Sequence, residues 1–341
     1  MKIRNRLIAL MFTVLAVLFT LYKVPLVSSQ GLTIFAAWVE GDLPEDNSTS
    51  ELWQRAVAVT VPLSAQKVSK PMLLESKIKS VNVRALQNAT HLAFLVEWED
   101  ATRDDSMVRV QDFRDAVALQ FPQANGQPFY CMGQQGSNVS IWHWKADWQA
   151  DIAARQDMET LYPNMYVDQY PFAVQAAGIS AGPKDYEDAN YLPAMQVGNP
   201  FASADHASPV GSLVAGGFGT LTALPPEEQN VQGFGEWKDG KWQVIFSRAL
   251  ASEAEGDVVF SPGKSYSIAF AVWDGSNGER NGQKSTSQWI TLQLSRAMTA
   301  PAEQPAAATP NRWNTPENLT KIVILVVVLL IAAGALIYAR L

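Results

Sequence analysis

The chain has 341 residues, 48% of them hydrophobic, which suits one large or two small globular domains with apolar segments to spare. A formal charge of −7 and the lack of basic tracts argue against nucleic acid as a partner. The single cysteine, Cys131, excludes an intramolecular disulfide and a zinc site built on several thiolates, and the absence of CxxCH excludes the usual covalent attachment of a c-type haem.

In chain order, Lys2, Arg4 and Arg6 precede an apolar run from Leu7 to Tyr22 that ends near Ser28 and Ser29, so residues 1–29 read as a signal peptide or signal anchor and the bulk of the chain as exported. Strand signals follow: Arg55 to Val61, His91 to Asp100, Asp115 to Phe121, Lys241 to Leu250, Ser265 to Gly275 and Ser285 to Leu294. Several alternate apolar with polar residues, and DG, NG and PG turns punctuate them, which predicts an all-β chain folded as a β-sandwich over residues 30–297. No βαβ series carries a glycine-rich phosphate loop, which argues against a dinucleotide domain. From Ala150 to Leu221 periodicity fades and Gly, Pro, Asn and Asp accumulate, predicting a long irregular insertion over one end of the sandwich. Residues 298–320, rich in Ala, Pro and Thr, read as a tether. The charge-free run Ile322 to Tyr338, flanked by Lys321 and Arg340, is long enough to span a bilayer core, so residues 321–341 read as a transmembrane anchor with a short cytoplasmic tail. With the N-terminal basic cluster inside, the middle of the chain faces the extracytoplasmic, periplasmic side.

The stretch FYCMGQQGSNVSIWHWKADWQ, Phe129 to Gln149, gathers the cysteine, one of three histidines and three of eleven tryptophans. A Cys131–His143 nucleophile pair lacks an electropositive setting. The scattered histidines His91, His143 and His206 do not readily supply a hydrolytic metal set, and nothing marks a catalytic pair among 33 acids. As a strand, the stretch sends Trp142, Trp144, Ala146 and Trp148 to one side and His143, Lys145 and Asp147 to the other, with one face in a core.

In order along the chain stand VNVRALQNATHLAFLVEWEDAT, FRDAVALQFP, FYCMG, NVSIWHWKADWQ, GNP, SPV, GFGTLT, GEWKDGKWQVIFSRAL and IAFAVWDGSNGERNGQKSTSQW. In this ordered set, from about Trp53 to Leu294, the chain resembles the haem-binding γ subunits of ethylbenzene dehydrogenase, dimethylsulfide dehydrogenase, selenate reductase, chlorate reductase and nitrite oxidoreductase. The resemblance implies a sandwich like those of carbohydrate-binding modules, holding one non-covalent b-type haem between an axial methionine and an axial lysine. Carried over, the methionine is Met132 and the lysine Lys284, with Lys264 as runner-up, ahead of Lys145 and Lys184; His206 as a ligand would depart from the pattern. Where the pattern often has an acidic residue after MG, this chain has Gln134. Trp142, Trp144, Trp148, Phe218 and Trp273 are expected to pack the porphyrin or the sandwich core, and Arg280 or Lys145 to meet the haem propionates.

The resemblance further implies an electron-transfer subunit of a molybdenum oxidoreductase complex of the dimethyl-sulfoxide-reductase type. Its expected partners are a molybdopterin-containing catalytic subunit, an iron–sulfur subunit, and a cytochrome c or membrane-bound acceptor. Two protein-filled axial positions leave no open site for substrate, which points to relay and not catalysis. A thioether ligand favours ferrous haem. A lysine ligates iron only as the free amine, at a cost of roughly 4 to 5 kcal/mol from an unperturbed pKa near 10.4, offset by burial and by the iron–nitrogen bond. The rival reading is a haem-free cell-surface sandwich that binds carbohydrate or a protein partner on exposed tryptophans.

Overall fold

The computed structural model describes residues 31–123, 128, 132–164, 193–199 and 206–295. All belong to the first of two compact units, Met1–Ala297 and Met298–Leu341. The signal or anchor segment, the tether, the C-terminal apolar run, Cys131, Lys184 and residues 165–192 and 200–205 of the expected insertion lie outside the described residues. Among the described residues no helix is long and apolar enough to cross a membrane.

Fourteen strands carry the fold: β1 (Thr33–Trp38), β2 (Val59–Pro62), β3 (Ser64–Ala65), β4 (Ser80–Gln87), β5 (His91–Glu99), β6 (Ala116–Pro122), β7 (Val139–Lys145), β8 (Val210–Ala215), β9 (Thr222–Ala223), β10 (Gln232–Lys238), β11 (Lys241–Ala249), β12 (Ser265–Trp273), β13 (Ser285–Thr286) and β14 (Ile290–Leu294). One sheet runs β10-β11-β5-β4-β1-β14, with β2 added along the first half of β4. The other runs β6-β7-β8-β9, with β13 and β3 on the far side of β12. Strand β12 serves both: Ser265 to Ile268 pair with β14, and Ala269 to Trp273 pair with β6. Only β1 runs parallel to its neighbours, β14 and β4.

Side-chain alternation makes this a sandwich. On β5, Leu92, Phe94, Val96 and Trp98 enter the main core, while Ala93 and Leu95 join Trp53, Leu86 and Ile245 on the sheet's other face. Trp142 and Trp144 of β7 meet them from the second sheet, with ring centroids 6.1 Å from Phe94 and 6.3 Å from Trp98. Trp144 also lies 4.9 Å from Trp242. Each such ring removes roughly 150–250 Å² from water, on the order of 4–6 kcal/mol at about 25 cal/mol/Å² before side-chain entropy is counted. The DG dipeptide Asp239–Gly240 turns β10 into β11 with both residues at positive φ, 51° and 77°, as a two-residue hairpin requires.

Four expectations are corrected. The strand expected from Arg55 begins at Val59, because Glu51–Arg55 coil into a 3₁₀ turn in which the Ser50 side chain accepts from Leu52 N. The IWHWKADW strand ends at Lys145; Ala146–Ala153 form helix α1, so Trp148 leaves the tryptophan face. The strand expected from Ser285 to Leu294 breaks into β13 and β14. The insertion contains a true strand, β8, paired to β7 along its length. VGSLVA is buried on both faces and lacks the polar alternation that reveals a half-exposed strand.

Candidate functional site

The outer face of the second sheet holds a cavity of about 470 Å³, within the range of small-molecule and cofactor sites. Strand register explains its position. Ala271, Ala118, His143 and Gly211 stand side by side across β12, β6, β7 and β8, a row with almost no side-chain bulk except the imidazole. The next row, Ala269, Gln120, Ile141 and Leu213, closes one side, and Trp273 and Ala116 begin the row on the other. The hollow exists because small residues occupy the outer positions of strands whose inner positions are Val117, Leu119 and Phe270.

Two tight turns reach over this hollow. In one, Gln134 and Ser137 bridge around Gln135–Gly136; in the other, Arg280 and Gln283 bridge around Asn281–Gly282. Met132 begins the first and Lys284 ends the second, and Lys284 Nζ donates to Met132 Sδ at 3.5 Å. Lys284 is 6% exposed, with its Nζ 5.0 Å from the Trp273 ring centroid. Met132 adopts φ 88°, a conformation that non-glycine residues rarely hold without support. The support is visible: Met132 N donates to Gln120 Oε1 at 2.9 Å, and Met132 O accepts from Gly217 N at 2.8 Å. Gly133 follows at φ 72°, where a Cβ would lie 2.7 Å from Ala215 O and 2.8 Å from Ser137 O.

The remaining lining is largely apolar, with Ser69, Gln120, Glu279, Asn281 and Thr286 among it, together with the cations Lys70, Arg114 and Arg280, of which Arg114 pairs with Asp147 at 2.5 Å. The Arg280 guanidinium sits 4.4 Å from the Phe113 ring centroid and donates to Gly278 O at 2.6 Å. His143 stacks on Trp273 at 4.8 Å, and burial, reinforced by the charges of Lys145, Arg114 and Lys284, holds its pKa well below the usual histidine value. The imidazole is therefore neutral. Its Nε2 and the Gln120 Nε2 are buried without a hydrogen-bond partner, two polar atoms that the cavity leaves for an occupant. Burial likewise raises Glu279, at the cavity edge, to about 6.

The structure thus brings Met132, Lys284, Phe218, Trp273 and Arg280 to one cavity. Trp142 and Trp144, expected against the porphyrin or in the sandwich core, fill the inter-sheet core, because their even positions on β7 face away from the cavity. Lys145 is not among the lining residues: it is fully buried with its Nζ 3.3 Å above the Trp148 ring, which helix α1 folds over it, so it stands away from any propionate in the cavity. Burial depresses its pKa strongly. Lys264 lies in an exposed turn ahead of β12, and His206 stacks on Trp148 at 4.0 Å, outside the cavity. The residues that sequence reasoning missed are His143, Gln120, Arg114 and Lys70. A signal existed for the first two: the small-residue alternation of Ala116 and Ala118 marks a hollow, and Gln120 and His143 share its face.

A soft thioether sulfur and an amine nitrogen, brought together from two turns over the cavity, are donors of the kinds that could hold a haem iron. The fold and site together define a class: a β-sandwich with a cofactor-sized lateral cavity under two turns that carry Met132 and Lys284. The chain belongs to the ethylbenzene dehydrogenase family, which it matches over residues 50–285. It is 27% identical to a heme subunit assigned to a respiratory nitrate reductase of Haloferax mediterranei, over 74% of this chain and 70% of that one. It is 27% identical to the dimethylsulfide dehydrogenase γ subunit of Rhodovulum sulfidophilum (58% of this chain, 54% of that one) and 26% identical to the chlorate reductase γ subunit of Ideonella dechloratans (62% and 63%). The chain therefore spans just over half and just under two thirds of the last two. Among solved structures, a carbohydrate-binding protein candidate of Bacteroides uniformis aligns at 8% identity and a TM-score of 0.41, over 78% of this chain and 100% of that one.

Proposed function

We propose that the chain is the haem b subunit of a molybdenum oxidoreductase complex, carrying electrons between an iron–sulfur subunit and a cytochrome c or membrane acceptor, and is not itself catalytic. The observation that carries this reading is the approach of Lys284 Nζ to Met132 Sδ, 3.5 Å apart in an apolar cavity. The names of the relatives, a heme subunit and two γ subunits of oxidoreductases, support the same role.

When bound, the haem supplies a one-electron iron couple. Met132 would supply a neutral thioether, and Lys284, once deprotonated, an amine nitrogen. With both donors engaged, no position would remain on the iron for substrate. Gln120 fixes the Met132 backbone, Trp273 and Phe218 supply apolar contact, and Arg280, Arg114 and Lys70 supply cationic donors for carboxylates at the rim. The surface-binding rival would need stacking tryptophans; Trp98, Trp142, Trp144 and Trp242 are buried in the core, which leaves Trp38, Trp237 and Trp289 half-buried among the described residues.

The test is an optical spectrum of the full chain, purified from haem-replete cells, oxidised and then reduced with dithionite, followed by a pyridine haemochrome assay. Sharp α and β bands with a b-type haemochrome are expected, with haem lost in Met132→Ala and Lys284→Ala. A folded protein with no Soret band would overturn the proposal.

A further inference from the structure

Three aspartates meet where strands of both sheets end. Asp100 follows β5, Asp115 precedes β6, and Asp274 follows β12; they are 6%, 0% and 4% exposed, and one carboxylate oxygen from each lies within 4.8 Å of the others. Pairing of Trp273 with Ala116 sets Asp274 beside Asp115. Asp100 arrives from the first sheet, and so does Trp242, whose Nε1 donates to Asp115 Oδ2 at 2.9 Å.

The protein satisfies this cluster incompletely. Asp115 accepts from Gly275 N (2.9 Å), Asp104 N (2.8 Å) and Trp242 Nε1. Asp274 Oδ1 accepts from Ser276 Oγ (2.7 Å) and Asn277 N (3.0 Å). Asp100 Oδ1 accepts from the backbone and hydroxyl of Thr102, both at 3.2 Å, but its Oδ2 is buried without a well-formed hydrogen bond, the Trp98 indole being the further donor that acts on this carboxylate. Among the described residues the cation paired with the trio is Lys77, 3.9 Å from Asp274 Oδ2 and 56% exposed. Glu279, 2% exposed and accepting from Asp274 N at 3.2 Å, adds a fourth buried carboxyl. Buried carboxylates in this number, with one remote ammonium, carry a desolvation cost of several kcal/mol each that hydrogen bonds only partly offset. Burial and mutual repulsion accordingly push Asp100 up to about 6 and Asp115 up to about 8. The cluster takes up either protons or a counter-ion.

We propose that Asp100, Asp115 and Asp274 bind a hard divalent cation, calcium being favoured by an all-oxygen donor set without sulfur or imidazole. The poorly satisfied Asp100 Oδ2 is the observation that points to a ligand beyond the cluster itself. The ion would also be a clamp. Asp274 opens the segment that runs through the Gly275–Asn277 turn and Glu279 to Lys284, so fixing Asp274 to Asp100 and Asp115 fixes the root of the lysine turn. The clamp rests on the haem reading; the cation site does not.

The test uses the full chain purified without chelator. Metal content by mass spectrometry, then titration with Ca²⁺ and Tb³⁺ after EGTA treatment and desalting, measures the site, with Trp242 sensitising terbium luminescence. One equivalent per chain is expected, with affinity weakened at least about tenfold in Asp100→Asn and in Asp274→Asn. Asp115→Asn disturbs three hydrogen bonds and is less informative. Folded wild-type protein, checked by circular dichroism, that neither retains nor binds either ion at millimolar concentration would sink the proposal, as would undiminished binding in Asp100→Asn. Terbium binding to a protein without haem bands would keep the cation site and remove the haem reading; haem bands that ignore EGTA would keep both sites and remove the clamp.

Discussion

Met132 combines a rare backbone conformation with the thioether proposed as an iron ligand, and the two are separable by mutation. Met132→His replaces a thioether by the better donor imidazole and is expected to lower the midpoint potential in a redox titration, the direction set by loss of the ligand that favours ferrous iron. Gly133→Ala leaves both ligands in place but forces a Cβ against two carbonyl oxygens at positive φ. It should cost about 1–3 kcal/mol in a urea melt. His143→Ala removes a neutral ring from the cavity wall; a shift of the haem bands with little change in melting temperature is expected, and unaltered spectra would place the imidazole outside haem contact.

Strands explain how much of the site was readable. Alternation in HLAFLVEWE and VSIWHWK reported which residues face the core, so the tryptophans' burial was legible on physical grounds. The cavity was legible only in part: Ala116 and Ala118 alternate as small outer residues on β6, but β8, which completes the sheet there, carries no alternation. Met132 and Lys284 were legible only through the ordered motifs of a family; 152 residues separate them, and no local pattern joins them. Lys145 misled because the strand stops there: the helix that follows folds Trp148 back over the ammonium. Trp144→Ala tests the separation of core from site. It should cost about 3–5 kcal/mol of stability while leaving the haem band positions of the surviving folded fraction unchanged. Gly235→Ala, whose Cβ would lie 2.2 Å from the Trp144 ring, should cost about 1–3 kcal/mol by overpacking the same spot.

At the scale of the molecule, the aspartate cluster couples stability to pH through groups on both sheets: Asp100, Asp115, Asp274, Glu279 and Lys77, with Asp104 alongside. In chelator, Asp100 and Asp115 stand at about 6 and about 8 when folded, above the ordinary 3.8. The folded chain then holds protons that the unfolded chain has released. Stability from this source is complete below the ordinary value and is lost as pH rises through about 6 and about 8, so the urea midpoint should fall between roughly pH 5 and 9. Saturating calcium should flatten that fall, since the bound ion replaces the protons. A second whole-molecule expectation concerns the apolar run at residues 322–338: truncation after Thr309, with a cleavable signal retained, should move the protein to the soluble fraction, and continued membrane retention would assign anchoring elsewhere.

The separation of the two ligand turns along the chain has a consequence for assembly. A haem held by both Met132 and Lys284 in an unfolded chain would close a loop of 152 residues, at an entropic cost on the order of 4 kcal/mol. The folded sandwich has already brought the two turns together, so the same bonds form there without that cost. On the proposed ligation the cofactor would discriminate by topology: an unfolded chain would offer it one ligand, a finished sandwich two. Loading with haem would then be a checkpoint on folding, and the cofactor a rivet between segments that the sequence keeps far apart.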